Sequence, residues 1–191
     1  MNRKQALILI GAIGLVALAV IAGLSMRRAP DSGQPVAVAS TGTNDPALTG
    51  SVTLYFPGDD GRLHGEVRAL DTDARGAELA ERIVAGVLSG PDNESLYPPL
   101  PTSTTIASTL LAADGTLYLD LASSEHPLPP VDGSQRELLA AYSLVQSICD
   151  NVPGVRGVAL LWNGEQRTTF AGNLDTTRPL RPNPRLVQVA S

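Results

Sequence analysis

The sequence predicts an α+β fold, in which a mixed, mainly antiparallel sheet carries two helices on one face and one transmembrane helix precedes them. β-prone segments that end at glycine- and proline-rich turns alternate with two helical segments. The dipeptides Asp114-Gly115 and Asn163-Gly164 favour tight hairpins between neighbouring strands. An uncharged apolar run near the N-terminus is long enough to cross a bilayer.

Six segments are predicted to be strands, because β-branched, aromatic and leucine residues dominate them and turn residues end them. The Pro-Gly-Asp-Asp-Gly stretch at 57–61 ends the first strand, and the proline-containing segment 92–102 forms neither a helix nor a central strand. The hairpin at Asn163-Gly164 is expected to close the sheet, and the tail from 175 onward stays mostly irregular. The strands are predicted at residues 52–56, 65–70, 104–111, 116–121, 156–162 and 166–170.

Two segments are predicted to be helices. The first covers residues 77–88 and stops at Ser89-Gly90-Pro91, where glycine allows a left-handed conformation and proline breaks the helix. The second begins at a capping box, in which Ser134 and Glu137 each satisfy a backbone N–H, and it runs to about residue 149. The buried stripes are predicted to be Leu79, Ile83 and Val87 on the first helix, and Leu138, Tyr142, Val145 and Cys149 on the second.

The chain is expected to contain one folded domain between an N-terminal anchor and a short tail. Residues 6–26 form the transmembrane helix, and residues 27–50 are a flexible linker of small and polar residues without periodicity. The predicted organisation is a cytoplasmic N-terminus at 1–5, the helix, the linker, a domain at 51–173 and an irregular tail at 174–191.

The alternative to an uncleaved anchor is a cleaved signal peptide, which the sequence disfavours. Ala37-Val38-Ala39 fits a cleavage site but lies too far downstream, and Arg27 and Arg28 intervene. Two basic residues stand on each side of the apolar run, and the N-terminal amine adds one more positive charge to the first side. Because the more positive side stays in the cytoplasm, an N-terminus inside is favoured. We therefore predict a single-pass protein of the inner (cytoplasmic) membrane, whose domain lies on the extracytoplasmic, periplasmic side.

The charge and cysteine content exclude some functions. All 19 acidic residues but only ten of the 14 basic ones follow Arg28, which leaves about −9 on the exported part. An acidic body has no electrostatic drive toward nucleic acid or anionic lipid, so no nucleic-acid partner is expected. Cys149 is the only cysteine, so no internal disulfide can form.

Residues that could carry chemistry have simpler interpretations. His64 and His126 are isolated and are expected to be exposed loop residues, without the spacing of a zinc site. Cys149 is expected to be a core residue rather than a nucleophile, and Ser89 ends a helix. We therefore expect no enzyme activity, catalytic residue, metal or cofactor. Calcium ligands are the alternative to turn formation for Asp59, Asp60, Asp71 and Asp73, which lack the EF-hand pattern.

Two further residues leave alternatives open. Asp120 is unusual within a strand, so it either faces solvent or makes a contact that caps a loop. Trp162 stands beside the Asn163-Gly164 turn at the end of the sheet, and it is the aromatic residue that we expect to be exposed. Most of the other aromatic side chains are expected in the core.

Short motifs follow one another along the chain: Leu54-Tyr-Phe-Pro57, Arg68, Leu88-Ser-Gly-Pro91, Leu100-Pro101, Leu119-Asp-Leu121, Ser143-Leu-Val145, the segment 155–158 and Asn163-Gly164. This ordered set resembles the GerMN domain family, which is known from sporulation and germination proteins and from LpqB-type lipoproteins. The resemblance covers about residues 51–172. It departs from the family pattern at Gln146-Ser147, where Asn-Thr is common. The positions that match are Tyr55, Phe56, Pro57, Arg68, Gly90, Pro91, Pro101, Asp120, Ser143, Leu144, Val145, Asn163 and Gly164.

The resemblance implies a compact extracytoplasmic domain, similar to the ring-building motifs of envelope machines, and a structural or interaction role for the matched residues. Our first hypothesis is a non-catalytic scaffold that binds envelope proteins, with a homo-oligomer as one form of assembly. The alternative is a sensor of ligands such as cell-wall fragments, with the proline-rich segment 92–102 as the rim of its pocket. An enzyme would need a cluster of titratable groups that the sequence does not show.

Overall fold

The computed structural model describes residues 49–71 and 73–188. The predicted anchor and nearly all of the predicted linker lie outside these residues. Neither helix in the described part of the chain is long and apolar enough to cross a membrane. In chain order the elements are β1 (Thr49–Pro57), β2 (Leu63–Asp71), α1 (Gly76–Leu88), β3 (Thr105–Leu111), β4 (Thr116–Ala122), α2 (Ser134–Asn151), β5 (Gly157–Trp162) and a 3₁₀ helix (Pro184–Leu186).

The α+β class is confirmed, with two helices and mostly antiparallel pairing, but the strands form two sheets instead of the single sheet that we predicted. One sheet is the antiparallel hairpin of β1 and β2. The other has the order β3-β4-β5, with β3 antiparallel and β5 parallel to β4. The sheets stay separate because side chains of α2 bind the edge of β1 that faces away from β2.

One apolar core joins both sheets and both helices. β4 alternates strictly, so that Leu117, Leu119 and Leu121 are fully buried while Tyr118 points away from the core. α1 packs on β3 and α2 on β1, and the two helices contact each other. α1 buries Ile83 and Val87 as predicted, but the buried surface of α2 centres on Leu144 and Ile148. Of the predicted α2 stripe only Val145 is fully buried, whereas Leu138, Tyr142 and Cys149 are partly exposed.

The predicted capping box at the start of α2 is wrong. Gly133 is the residue that precedes the helix, with a φ of 88°, and Ser134 is already helical and makes no capping hydrogen bond. Glu137 is fully buried and points toward a distant loop instead of toward the helix start. Its carboxylate accepts hydrogen bonds from the backbone N–H groups of Ala171 (2.6 Å) and Leu174 (2.9 Å). A second oxygen accepts the N–H and the side-chain amide of Asn173, at 2.8 and 2.7 Å.

The buried Glu137 explains why the last predicted strand, at 166–170, does not form. The Asn163-Gly164 turn is present, with φ values of 53° and 83°, but its pairing stops after Trp162 and Glu165. The carboxylate holds the chain at 171–174 beside the first turn of α2, away from β5. The C-terminal tail pairs with this edge of β5 instead. The backbones of Leu180 and Val158 exchange two hydrogen bonds of 2.8 Å.

We expect Glu137→Gln to destabilise the domain by about 2–3 kcal/mol, because one acceptor oxygen would be replaced by an amide that cannot accept the loop N–H groups. Urea unfolding followed by circular dichroism at pH 7 would measure this loss. Equal stability of the variant and the parent would contradict the assigned role.

The same carboxylate should make stability depend on pH. Burial alone would raise the pKa of Glu137, but the hydrogen bonds from Leu174, Ala171 and Asn173 outweigh it and hold the pKa below 4.5. Because the pKa is lower in the folded state, this contribution is complete above about pH 5 and is lost as the pH falls through the folded pKa. The parent should therefore lose part of its advantage over Glu137→Gln as the pH is lowered below about 4.5, and a pH-independent difference would contradict this explanation.

Candidate functional site

Most of the family-motif residues lie in four places: a seam between α2 and β1, an arginine cluster, a turn at the end of the three-stranded sheet, and a groove. Leu144 and Val145, which also match the motif, belong to the core and are fully buried. The seam contains Tyr55 and Ser143, and the groove is lined in part by Pro57 and Pro101.

In the seam, polar side chains of α2 bind the outer edge of β1. Asn151 accepts the N–H of Thr53 at 3.0 Å and donates to its carbonyl at 2.8 Å. Ser147 accepts the N–H of Tyr55 at 2.9 Å, and the Ser143 hydroxyl donates to the Tyr55 carbonyl. Positions 143, 147 and 151 are four residues apart and therefore share one helix face. Together they supply the hydrogen bonds that a neighbouring strand would make.

The seam ends in the Tyr55 side chain. Its hydroxyl donates to the Asp150 carboxylate at 2.6 Å, and Gln146 donates to the same carboxylate at 3.0 Å. Burial, with Asp150 beside it, raises the pKa of Tyr55 above its usual value, so the phenol stays protonated at neutral pH.

The arginine cluster ties β2 to the end of α1. Arg68 donates to the Gly90 carbonyl at 2.8 Å and lies over the Phe56 ring at 5.2 Å. Its guanidinium is also paired with Glu66 at 2.9 Å and Asp92 at 3.3 Å. A cation at the C-terminal end of a helix is favoured by the helix dipole. Gly90, with a φ of 88°, ends α1 as predicted, and Pro91 follows it.

Of the two alternatives for Asp120, the structure shows the contact that caps a loop, at the end of the three-stranded sheet. Its carboxylate accepts the N–H of Gly164 at 2.9 Å. The neighbouring Asn163 side chain accepts the N–H of Ser123 at 3.1 Å. Trp162, expected to be exposed, is only 2% exposed, and its indole donates to the His126 carbonyl at 3.0 Å. Tyr97 and Tyr118 are the more exposed aromatic residues, at 47% and 40%.

The groove holds about 630 Å³ and lies between two proline-rich loops and the first turns of α2. One wall is formed by the end of β1 and by the loop at 97–101, and the other by residues 130–132. The Tyr97 hydroxyl donates to Asp59, and this bond raises the pKa of Tyr97, although Arg136 partly opposes it. The sequence pointed to the proline-rich loop but gave no sign that α2 would complete the groove.

The other residues considered for chemistry have structural partners. His64 lies in β2 rather than in a loop, and its Nε2 is 2.9 Å from Asp60. Ser89 donates to the Gly86 carbonyl at 2.7 Å. Burial, with a smaller effect from Asp150, raises the pKa of Cys149 to about 11, so its thiol is protonated at neutral pH. Among the described residues, no three His, Cys, Asp or Glu side chains are grouped to hold a metal.

The fold and these contacts define a small α+β module whose converging polar groups bind its own backbone. It is similar to the tandem GerMN domains of the sporulation protein GerM from Bacillus subtilis, with 16% identity, a TM-score of 0.58 and coverage of 78% of this chain. The chain spans 51% of that structure. The first GerMN domain of the same protein gives 17% identity and a TM-score of 0.54, covering 70% of this chain and 98% of that one.

A protein described as "Putative Lipoprotein from Clostridium perfringens" is also similar, with 19% identity and a TM-score of 0.50, over 73% of this chain and 93% of that one. No curated protein sequence matches this chain. The Germane family model, described as "Sporulation and spore germination", matches residues 53–168. The chain belongs to this family, which confirms the predicted resemblance.

The hydrogen bonds of the seam should contribute more to the stability of the domain than the residues at the start of α2. We expect Ser147→Ala to destabilise the domain by about 1–3 kcal/mol, because the N–H of Tyr55 would lose its acceptor inside the structure. Ser134→Ala is the matched control, since Ser134 is exposed and makes no capping bond, and it should change stability by less than about 0.5 kcal/mol. Urea unfolding of both variants measures the difference, and an equal or larger loss for Ser134→Ala would contradict this description.

Proposed function

We propose that this chain is a non-catalytic module of the bacterial cell envelope that binds partner proteins while tethered to the inner membrane. Membership in a family described by sporulation and spore germination supports an envelope role. The similarity to a protein described as a putative lipoprotein supports an extracytoplasmic position for the domain. The buried and half-buried carboxylates of Glu66, Asp120 and Glu137 accept backbone N–H groups, which is a structural task.

The observation that carries the proposal is an apolar pair on the outer face of the three-stranded sheet. Leu110 and Tyr118 stand opposite each other in β3 and β4, so their side chains share one face. They are 63% and 40% exposed, while the other face of β4 is fully buried. Aromatic side chains are enriched in protein interfaces, and adjacent exposed apolar side chains favour contact with another protein.

The tether would increase the effect of such a small surface. Residues 6–26 would fix the chain in the membrane, and residues 27–50 would give the domain reach. Tethering two molecules to one membrane raises their effective concentration, so that a weak contact suffices. The partner in this proposal is another envelope protein, and a second copy of this chain is the alternative occupant.

Photo-crosslinking in intact cells tests the proposal. A photoreactive residue at position 118 should capture a defined envelope protein, because that side chain projects from the sheet face. The matched control is the same residue at position 81, where Glu81 is exposed on α1. Leu110→Glu should reduce capture at position 118 by about tenfold without lowering the unfolding temperature.

Three results would contradict parts of this proposal. Identical capture by positions 118 and 81 would remove the sheet face as the binding surface. A crosslinked product with the mass of two copies of this chain would show that the surface binds a second copy instead of an envelope protein. Recovery of the chain from the cytosolic fraction would remove the membrane tether and the envelope location together.

A further inference from the structure

The groove beside α2 combines an apolar floor with a polar rim. Leu100 and Leu139 are 2% and 4% exposed and form the floor. The exposed side chains of Asp59, Asp132 and Arg136 stand at the rim together with Gln135 and Tyr97. Five of the lining residues are prolines, whose rings are rigid and apolar: Pro57, Pro98, Pro99, Pro101 and Pro130.

The groove is held in shape before any ligand binds. The N–H of Tyr97 donates to the Pro57 carbonyl at 2.9 Å, which joins the two sides of one wall. The bond from the Tyr97 hydroxyl to Asp59 fixes the direction of the ring. Gln135 lies against Gly61, where a Cβ would come within 2.1 Å of its side-chain nitrogen. A preformed site loses little conformational entropy on binding.

The lining disfavours three kinds of ligand. Two carboxylates oppose one guanidinium at the rim, so phosphates and nucleic acids would be repelled. Proline has no N–H, and the N–H groups of Gly58, Tyr97 and Val131 are already donated to carbonyls of the domain, so the walls offer few donors to an added peptide strand. Polyproline peptides bind grooves lined by several aromatic rings, and Tyr97 is the one aromatic among the described residues that line this groove.

We infer that the groove is a binding site for an uncharged sugar ring of a glycan. A pyranose has an apolar face of C–H groups, which the Tyr97 ring and the prolines can cover. Its hydroxyl and amide groups both donate and accept, and the rim offers the acceptors of Asp59 and Asp132 and the donors of Arg136. This site lies apart from the sheet face proposed for protein contacts, so either can fail without the other.

Calorimetric titration with chitotetraose, an uncharged N-acetylglucosamine oligomer, tests the inference. The full chain is placed in phospholipid nanodiscs, because sugar-based detergents would compete for the groove. We expect binding with a Kd on the order of 0.1–1 mM. Tyr97→Ala should weaken it by about tenfold or more, and Tyr97→Phe, which keeps the ring, by less than about threefold.

Tyr118→Ala is the matched control, since it removes a similarly exposed tyrosine that does not line the groove, and it should leave binding unchanged. If Tyr97→Ala unfolds, as circular dichroism would show, Arg136→Ala reports instead, because Arg136 is exposed. The inference is overturned by the absence of binding up to about 10 mM, by an equal loss in Tyr118→Ala, or by tighter binding of a proline-rich decapeptide than of the glycan.

Discussion

The structure depends on how the outer edge of β1 is satisfied. A strand edge left open would expose unpaired N–H and carbonyl groups and would invite pairing with another chain. Here Ser143, Ser147 and Asn151 of α2 bind the backbone of Thr53 and Tyr55, so the helix takes the place of a strand. This arrangement fixes the rotation of α2 as well as its distance, because hydrogen bonds are directional while apolar contacts are not.

The position of α2 determines what the domain can offer to a ligand. Its first turns carry Gln135, Arg136 and Leu139, which complete the groove against the end of β1. Its buried Glu137 holds the loop at 171–174 and thereby leaves the edge of β5 to the tail. The polar groups inside the domain thus serve its own backbone. The two surfaces proposed for binding, the apolar pair on the sheet and the groove, instead present exposed side chains.

The sequence predicted features that depend on nearby residues and missed those that depend on distant ones. Gly90, Gly115 and the Asn163-Gly164 turn were predictable, because positive φ angles favour these residue types. Glu137 matched a capping box three residues after a serine, and only the fold shows that its partners lie 34 to 37 positions away. Ser147 and Asn151 looked like ordinary polar helix residues, although their partners in β1 lie more than 90 positions earlier.

Amide hydrogen exchange at Thr53 and Tyr55 tests the central claim most directly. These two N–H groups point away from β2, so the side chains of α2 are their acceptors. We predict that both exchange as slowly as the N–H groups of Val52 and Leu54, which lie in the β1–β2 ladder, and that Ser147→Ala accelerates Tyr55 more than it accelerates these two ladder amides. Fast exchange at both positions in the parent protein would show that the edge is open and that α2 is not held in this way.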